Sequence, residues 1–279
     1  MIVSDKHRFA FIHIPKCAGS TVRQALAAYD ESFAGMTAGL KNWRQNEFVF
    51  WHEGEDQFLD YHHLTLAQLQ RLYPEQWEKV DAYPAYAILR DPYSRLISAL
   101  YQYLRQVEEI VVHDLGPEEL RARLIPILEK VDAFFAKDPQ LPFDYVHFQP
   151  QSSYVELDGK RVVEGLVSIS SLDQLYHMLD DQLAPHGEAL EPFHLQKTNV
   201  TKAYRWQAAQ NLVQRHSGLV NALRSRLPRG FKTKIRQVLL KDSDLKQVSI
   251  TESKVVREFV ERHYARDVAL WNEVMTSES

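Results

Sequence analysis

The sequence has a single cysteine, Cys17, in 279 residues. No intrachain disulfide can form, and nothing in the cysteine usage points to an oxidising compartment. It also lacks a long apolar run. The N-terminus, Met1 to Arg8, is polar and leads straight into the first apolar segment, so neither a signal peptide nor a membrane span is expected, and the chain reads as cytoplasmic. There is no basic excess: the net charge is -4, whereas a general nucleic-acid binder carries a positive balance, so any anion site here is local. No H-E-x-x-H and no paired-cysteine spacing occurs, so no metal site is expected. Repeats and low-complexity tracts are missing too. What remains is ordinary globular composition, 45% hydrophobic and 25% charged, in a length that suits one α/β domain with insertions.

Strand and helix patterns alternate along the chain. Phe9–Ile14, Tyr83–Leu89 and Val162–Ile169 read as buried strands, and Ser20–Tyr29 as a helix after the first of them. Glu31 to Tyr61 has no steady period and reads as irregular, with short elements. Leu64–Leu72 has helical spacing, and Pro74 is expected to end it. Asp91-Pro92 opens a helix to about Val107, with the aspartate as cap and proline at the first helical position. Leu115–Ala136 reads as an inserted helical pair interrupted at Pro126, and Asp138–Gln151 as a loop with three prolines. A capped helix is expected from about Ser171, a loop from Ala184 to Thr201, a helix over Trp206–Leu227, and one amphipathic terminal helix over Val255–Val274. Recurring strand–turn–helix units favour a central parallel sheet flanked by helices.

Two of the strand–helix junctions carry anion-binding chemistry. In "FAFIHIPKCAGSTVRQAL", Lys16 to Thr21 lie between the first strand and its helix. Unpaired helix N–H groups and the helix dipole favour a phosphate there. Gly19 and Ala18 allow close approach, Ser20 and Thr21 supply hydroxyls, and Lys16 a mobile charge. The lysine precedes the small residues, so the G-x-x-x-x-G-K-[ST] order of nucleotide-triphosphate loops is absent. In "YAILRDPYSRLISALYQYL", Arg90 sits where the second strand ends, and Arg95 and Ser98, three apart, share a helix face. Arginine suits bidentate phosphate binding, and serine adds a donor. Each residue singly is better explained by the plainer reading, Arg90 paired with a carboxylate and Ser98 a small packing residue. Two such junctions in one parallel sheet suggest a ligand with two separated phosphates.

"HIPKCAGST" and "RDPYSRLISALY" resemble the two cofactor motifs of membrane-type carbohydrate sulfotransferases and their bacterial relatives. The resemblance implies a P-loop-like three-layer fold over 1–279 with a helical insertion around 108–140. It implies transfer of a sulfuryl group from PAPS (3′-phosphoadenosine 5′-phosphosulfate) to an acceptor hydroxyl, expected on a carbohydrate. In such a protein Lys16, Cys17, Ala18, Gly19, Ser20 and Thr21 would hold the 5′-phosphosulfate, and Arg90 and Ser98 the 3′-phosphate. Threonine is common where Cys17 stands. Weaker likeness runs through Phe148–Gly159, Val162–Leu175, the "HLQKTNVTK" loop and the terminal helix. By the same likeness Lys197, Thr198 and Asn199 would close over the nucleotide, although a polar exposed loop explains them equally well.

The acceptor hydroxyl must lose a proton, and histidine is the natural base near neutral pH. Asp60-Tyr61-His62-His63-Leu64-Thr65 lies between the two motifs. His63 directly precedes the Leu64 helix and is the first choice, His62 the second, with His52 and Glu53 in reserve. The plainer reading is that the pair caps or packs under that helix. Trp43, Phe50, Trp51 and Phe58 could stack on a sugar or simply fill the core. Two competing functions stay open: a magnesium-dependent phosphotransferase or nucleotide hydrolase, and a catalytically silent anion-binding protein on the same fold.

Overall fold

A computed structural model describes residues 1–33, 40–44, 46–110, 112, 115–191, 193, 202–204, 240–242 and 253–278. The expected helix over Trp206–Leu227 and the late loop with Lys197, Thr198 and Asn199 lie outside the described residues.

The chain begins with a hairpin, β1 (Ile2–Ser4) against β2 (Phe9–Ile12). The helix α1 (Gly19–Leu26) follows, then a second hairpin of β3 (Val49–His52) and β4 (Gln57–Asp60). Two short helices, α2 (Leu66–Leu72) and α3 (Pro74–Ala82), lead to β5 (Ala85–Leu89) and the long helix α4 (Pro92–Gln106). Next come α5 (Pro117–Phe135), a 3₁₀ segment at Phe143–Phe148, α6 (Ser152–Val155) and a small hairpin of β6 (Glu156–Leu157) and β7 (Lys160–Arg161). Strand β8 (Gly165–Ser168) is followed by α7 (Leu172–Leu183). The described chain closes with the paired strands β9 (Lys202–Tyr204) and β10 (Leu240–Asp242), then α8 (Lys254–His263) and α9 (Ala265–Ser277). No described helix is long and apolar enough to cross a membrane.

The main sheet has the order β1-β2-β5-β8. β2, β5 and β8 are parallel, with Ala10 opposite Ala85 and Tyr86 opposite Gly165, while β1 runs antiparallel at the edge. The sheet is therefore mixed rather than wholly parallel, because β1 and β2 are joined by a tight connection that only an antiparallel pair allows. Buried β2 (FAFI) and β5 (AYAIL) are continuous apolar runs, as strands covered on both faces require. One apolar cluster packs the sheet against α1, α2, α7 and α9; a second fills the space between α4, α5, the 3₁₀ segment and α8.

Four elements differ from the sequence reading. Pro74 does not merely end a helix; it occupies the first turn of α3, where its missing N–H costs nothing. Pro126 does not divide a helical pair. Leu120, Leu124, Ile127, Leu128 and Val131, on both sides of it, are buried in one core, and that shared stripe keeps α5 continuous. The terminal helix is two helices, broken at the fully buried Tyr264, whose hydroxyl donates to the Phe148 carbonyl. Ser171 precedes α7 without capping it, since its hydroxyl donates to Glu278 instead.

Parallel pairing of β2 and β5 puts their carboxyl ends at one sheet edge. The loops into α1 and α4 leave from that edge, where open α/β sheets bind ligands.

Candidate active site

The loop from β2 to α1 is built on two left-handed residues, Lys16 (φ 69°) and Ala18 (φ 61°). Each costs an L-residue roughly 1 kcal/mol or more, and such strain collects at functional loops. Ala18 occupies the N-cap position and no described side chain caps α1; the Thr21 N–H donates to the Ala18 carbonyl (3.1 Å), which leaves the N–H groups of Gly19 and Ser20 for another acceptor. Ser20 is exposed and Thr21 half-buried in that first turn. Gly19 has a reason that the sequence did not show: a Cβ there would lie 2.0 Å from His13 Cδ2. The imidazole of His13 occupies the space a side chain would need.

Long-range contacts lock the loop to the second junction. Arg95 is fully buried; its Nε donates to the Pro15 carbonyl (3.1 Å) and its Nη2 to the Gln149 carbonyl (2.7 Å). It is therefore a strut, not the ligand-facing partner of Ser98 that helical spacing suggested. The Cys17 thiol is buried, donates to Gln151 Oε1 (3.2 Å) and is pushed up to about 11 by burial. Only the backbone of Cys17 is left to meet a ligand. Gln151 also binds both backbone groups of Arg90, N–H at 3.0 Å and carbonyl at 2.9 Å. Its own N–H donates to the buried Asp267 (2.7 Å), so α9 braces both junctions through one glutamine.

The second junction begins as expected. The Asp91 carboxylate accepts from the Ser94 N–H (2.8 Å) and caps α4 behind Pro92. Arg90 donates through Nη1 to the Lys16 carbonyl (3.2 Å) and through Nε to Ser94 Oγ (3.1 Å). Lys16 Nζ reaches along α4 to Gln102 Oε1 (3.3 Å), which also accepts from Arg105 Nη2 (2.9 Å). Ser94, Ser98 and Gln102 are spaced by four and form one stripe of α4. Half-buried Ser98 thus lies between the contacts of Arg90 and Lys16. Among the described residues, neither Lys16 nor Arg90 ion-pairs with a carboxylate. Burial, then Arg105 and Arg90, lower Lys16 to about 8. Half-buried cations that no carboxylate pairs with are the kind of cluster an anion suits.

Four histidines gather beside it. The His63 ring lies 4.4 Å from that of His13 and 5.7 Å from that of His147, and His62 is 6.2 Å from His13. His63 Nδ1 is 3.0 Å from the His13 carbonyl. A carbonyl can only accept, so Nδ1 carries the proton and Nε2 keeps its lone pair. Burial is the largest cause holding His63 below the ordinary histidine range, so the ring is neutral at pH 7. His62 differs: its ring packs on Phe48 at 3.6 Å, its Nε2 faces Arg23 Nη1 at 3.4 Å, and burial pushes it far down. His52 and Glu53 sit at the turn end of the β3–β4 hairpin, and Asp60 at the other end; His52 Nδ1 accepts from the Glu55 N–H (3.2 Å). Nothing brings these two toward Lys16.

Two open hollows flank the histidines. One, shallow, is lined by His63, Asp60, Phe58, Gln57, Gln140 and Phe143. The other, also shallow, is lined by Trp43, Asp60, Phe143, Asp144, Gln106 and His147. Trp43 and Phe143 meet edge to face at 5.2 Å. Phe50 belongs to the core, as its burial shows. No group of three or more metal-ligating side chains converges among the described residues.

Residues 1–126 match the model of the sulfotransferase family. This part of the chain is similar to the sulfotransferase family. It runs from β1 into α5 and contains the Lys16 loop, His62-His63, Arg90, Ser98 and Gln102, so the matched segment carries both junctions. The family supports sulfuryl transfer in general. No curated protein and no solved structure matches the chain. Gln102, Gln151, Asp267 and Asp60 are among the site residues that the sequence does not mark, with His13, His147 and Phe143. Gln102, Gln151 and Asp267 act across the fold and leave no local signal, whereas Asp60 stands beside His62-His63 in the sequence.

Proposed function

We propose that this protein is a PAPS-dependent sulfotransferase with a P-loop-like fold that sulfates a hydroxyl, expected on a carbohydrate, with His63 as general base. One observation carries the reading: the two junctions meet directly, Arg90 Nη1 on the Lys16 carbonyl at 3.2 Å, beside a histidine whose Nε2 lone pair is free. PAPS, when bound, supplies the activated sulfuryl group. The residues present fit its two anionic ends. Lys16 and the uncapped start of α1, with Ala18, Gly19, Ser20 and Thr21, suit the 5′-phosphosulfate. Arg90 and Ser98, along the α4 stripe, suit the 3′-phosphate. Lys197, Thr198 and Asn199 remain proposed partners of the nucleotide.

Lys16 and the N–H groups of α1 stabilise charge on the leaving phosphate oxygen. His63 accepts the acceptor proton at Nε2 while Nδ1–H stays on the His13 carbonyl. Trp43 and Phe143 offer aromatic surface for a sugar ring beside the base. The lysines and arginines supply the neutralising charge, so the chemistry requires no metal.

The test is differential stabilisation. Adenosine 3′,5′-bisphosphate should raise the melting temperature more than ATP, which lacks the 3′-phosphate, and labelled PAPS should transfer label to hydroxyl acceptors in the presence of EDTA. Equal stabilisation by ATP, or loss of transfer on chelation with recovery in magnesium, would turn the assignment toward a phosphotransferase.

A further inference from the structure

His63 is hydrogen-bonded at one edge, to the His13 carbonyl, and faces a carboxylate at the other. Asp60 closes β4 and opens the turn that presents the histidines. Its Oδ1 accepts from the His62 N–H (3.0 Å), and its carbonyl accepts from the His63 N–H (2.8 Å). That leaves Oδ2, which lies 4.0 Å from His63 Nε2. The two side chains are only 16% and 11% exposed, so water screens the pair weakly. No lysine or arginine pairs with Asp60 among the described residues, and its carboxylate borders both hollows.

We propose that Asp60 is a positioning residue for the base: its carboxylate stabilises the imidazolium that His63 becomes when it takes the acceptor proton. This rests on the reading of His63 as base. The step balances as follows. The acceptor O–H proton moves to His63 Nε2, and the acceptor oxygen bonds sulfur. The bond from sulfur to the 5′-phosphate oxygen breaks and leaves its electron pair on that oxygen, which Lys16 faces. The imidazolium then has Nδ1–H on the His13 carbonyl and Nε2–H toward Asp60, from which the proton leaves to solvent through the open hollow.

The surroundings make a carboxylate necessary. Around His63 stand His13 from the end of β2, His62 beside it, His147 from the 3₁₀ segment, Lys16 from the first loop and the Met1 amine. All of these are neutral or positive, and burial adds its own penalty on charge. Asp60 is the acid among them, and it opposes their effect.

The experiment reads the His63 titration midpoint by NMR, with its ring signal identified as the one lost in His63→Gln. Asp60→Asn removes the charge but keeps an oxygen for the His62 N–H; Asp60→Ser, also neutral, carries the same expectation should the first variant not fold. The midpoint is expected to fall by about one pH unit or more, and turnover at neutral pH by about tenfold, a modest share of general-base catalysis. Affinity for adenosine 3′,5′-bisphosphate should stay within about twofold, because Asp60 touches neither junction; a merely structural role would move the melting temperature and leave the midpoint alone. An unmoved midpoint, with His63→Gln inactive, overturns the role of Asp60 alone. Normal turnover in His63→Gln overturns the base itself and this role with it.

Discussion

The two sides of His63 are built in opposite ways. On the Lys16 side, Lys16 and Arg90 stand together with no carboxylate paired to either among the described residues, and the backbone is tied to distant pieces: Pro15 to Arg95, Arg90 to Gln151, Gln151 to Asp267. On the hollow side, aromatic rings from the β3–β4 hairpin region and the 3₁₀ segment meet two carboxylates, Asp60 and Asp144. The difference follows from what each side has to do. Uncompensated cations repel one another and must be forced together by buried struts. An aromatic wall needs no such enforcement, and its shape can change with little cost to the sheet behind it. Anionic donor on one side and hydroxyl acceptor on the other is the division that sulfuryl transfer requires.

Variants should respect that division. The largest effect is expected from Lys16→Ala, which removes the charge proposed to face the leaving group: turnover should drop by about 100- to 1000-fold, the size seen when one stabilising donor is lost, and bisphosphate affinity should fall with it. A drop in turnover with unchanged bisphosphate binding would move Lys16 out of the donor side. Trp43→Ala should do the reverse, raising the acceptor KM by about tenfold while calorimetric bisphosphate affinity stays put; if donor binding moves instead, the two sides are not separate.

A smaller, graded effect comes from pH. Burial and the neighbouring Arg105 and Arg90 lower Lys16 to about 8. A bound anion favours the ammonium and raises that value again. Between the two, binding takes up a proton, so bisphosphate affinity should fall as pH rises above about 8, by up to about tenfold per pH unit. Lys16→Ala should flatten the profile. A pH-independent affinity in the wild-type chain would mean that Lys16 does not meet the ligand.

Much of the donor side was legible in the sequence. Both junctions are local patterns, an apolar run followed by a turn and a helix start, and Asp91-Pro92 announces its own cap. The struts were not legible: Gln151 lies 61 residues from Arg90 and 116 from Asp267, and a lone glutamine has no local signature. Arg95 was misread because helical spacing gives the face of α4 but not the depth of what covers it. The β3–β4 hairpin was hidden because Glu53-Gly54-Glu55-Asp56 is not one of the short glycine turns that mark hairpins from sequence. His62 and His63 could be found as a pair, yet only the His13 carbonyl, from a strand 50 residues away, distinguishes their lone pairs.

The central claim is that proton removal at His63 is separable from donor binding at Lys16 and Arg90. The direct measurement is turnover per folded molecule of His63→Ala, taken with its affinity for adenosine 3′,5′-bisphosphate. The account predicts a fall in turnover of about 100-fold or more, with bisphosphate affinity close to that of the unaltered chain. Near-normal turnover in folded His63→Ala would contradict it and return the search to His62.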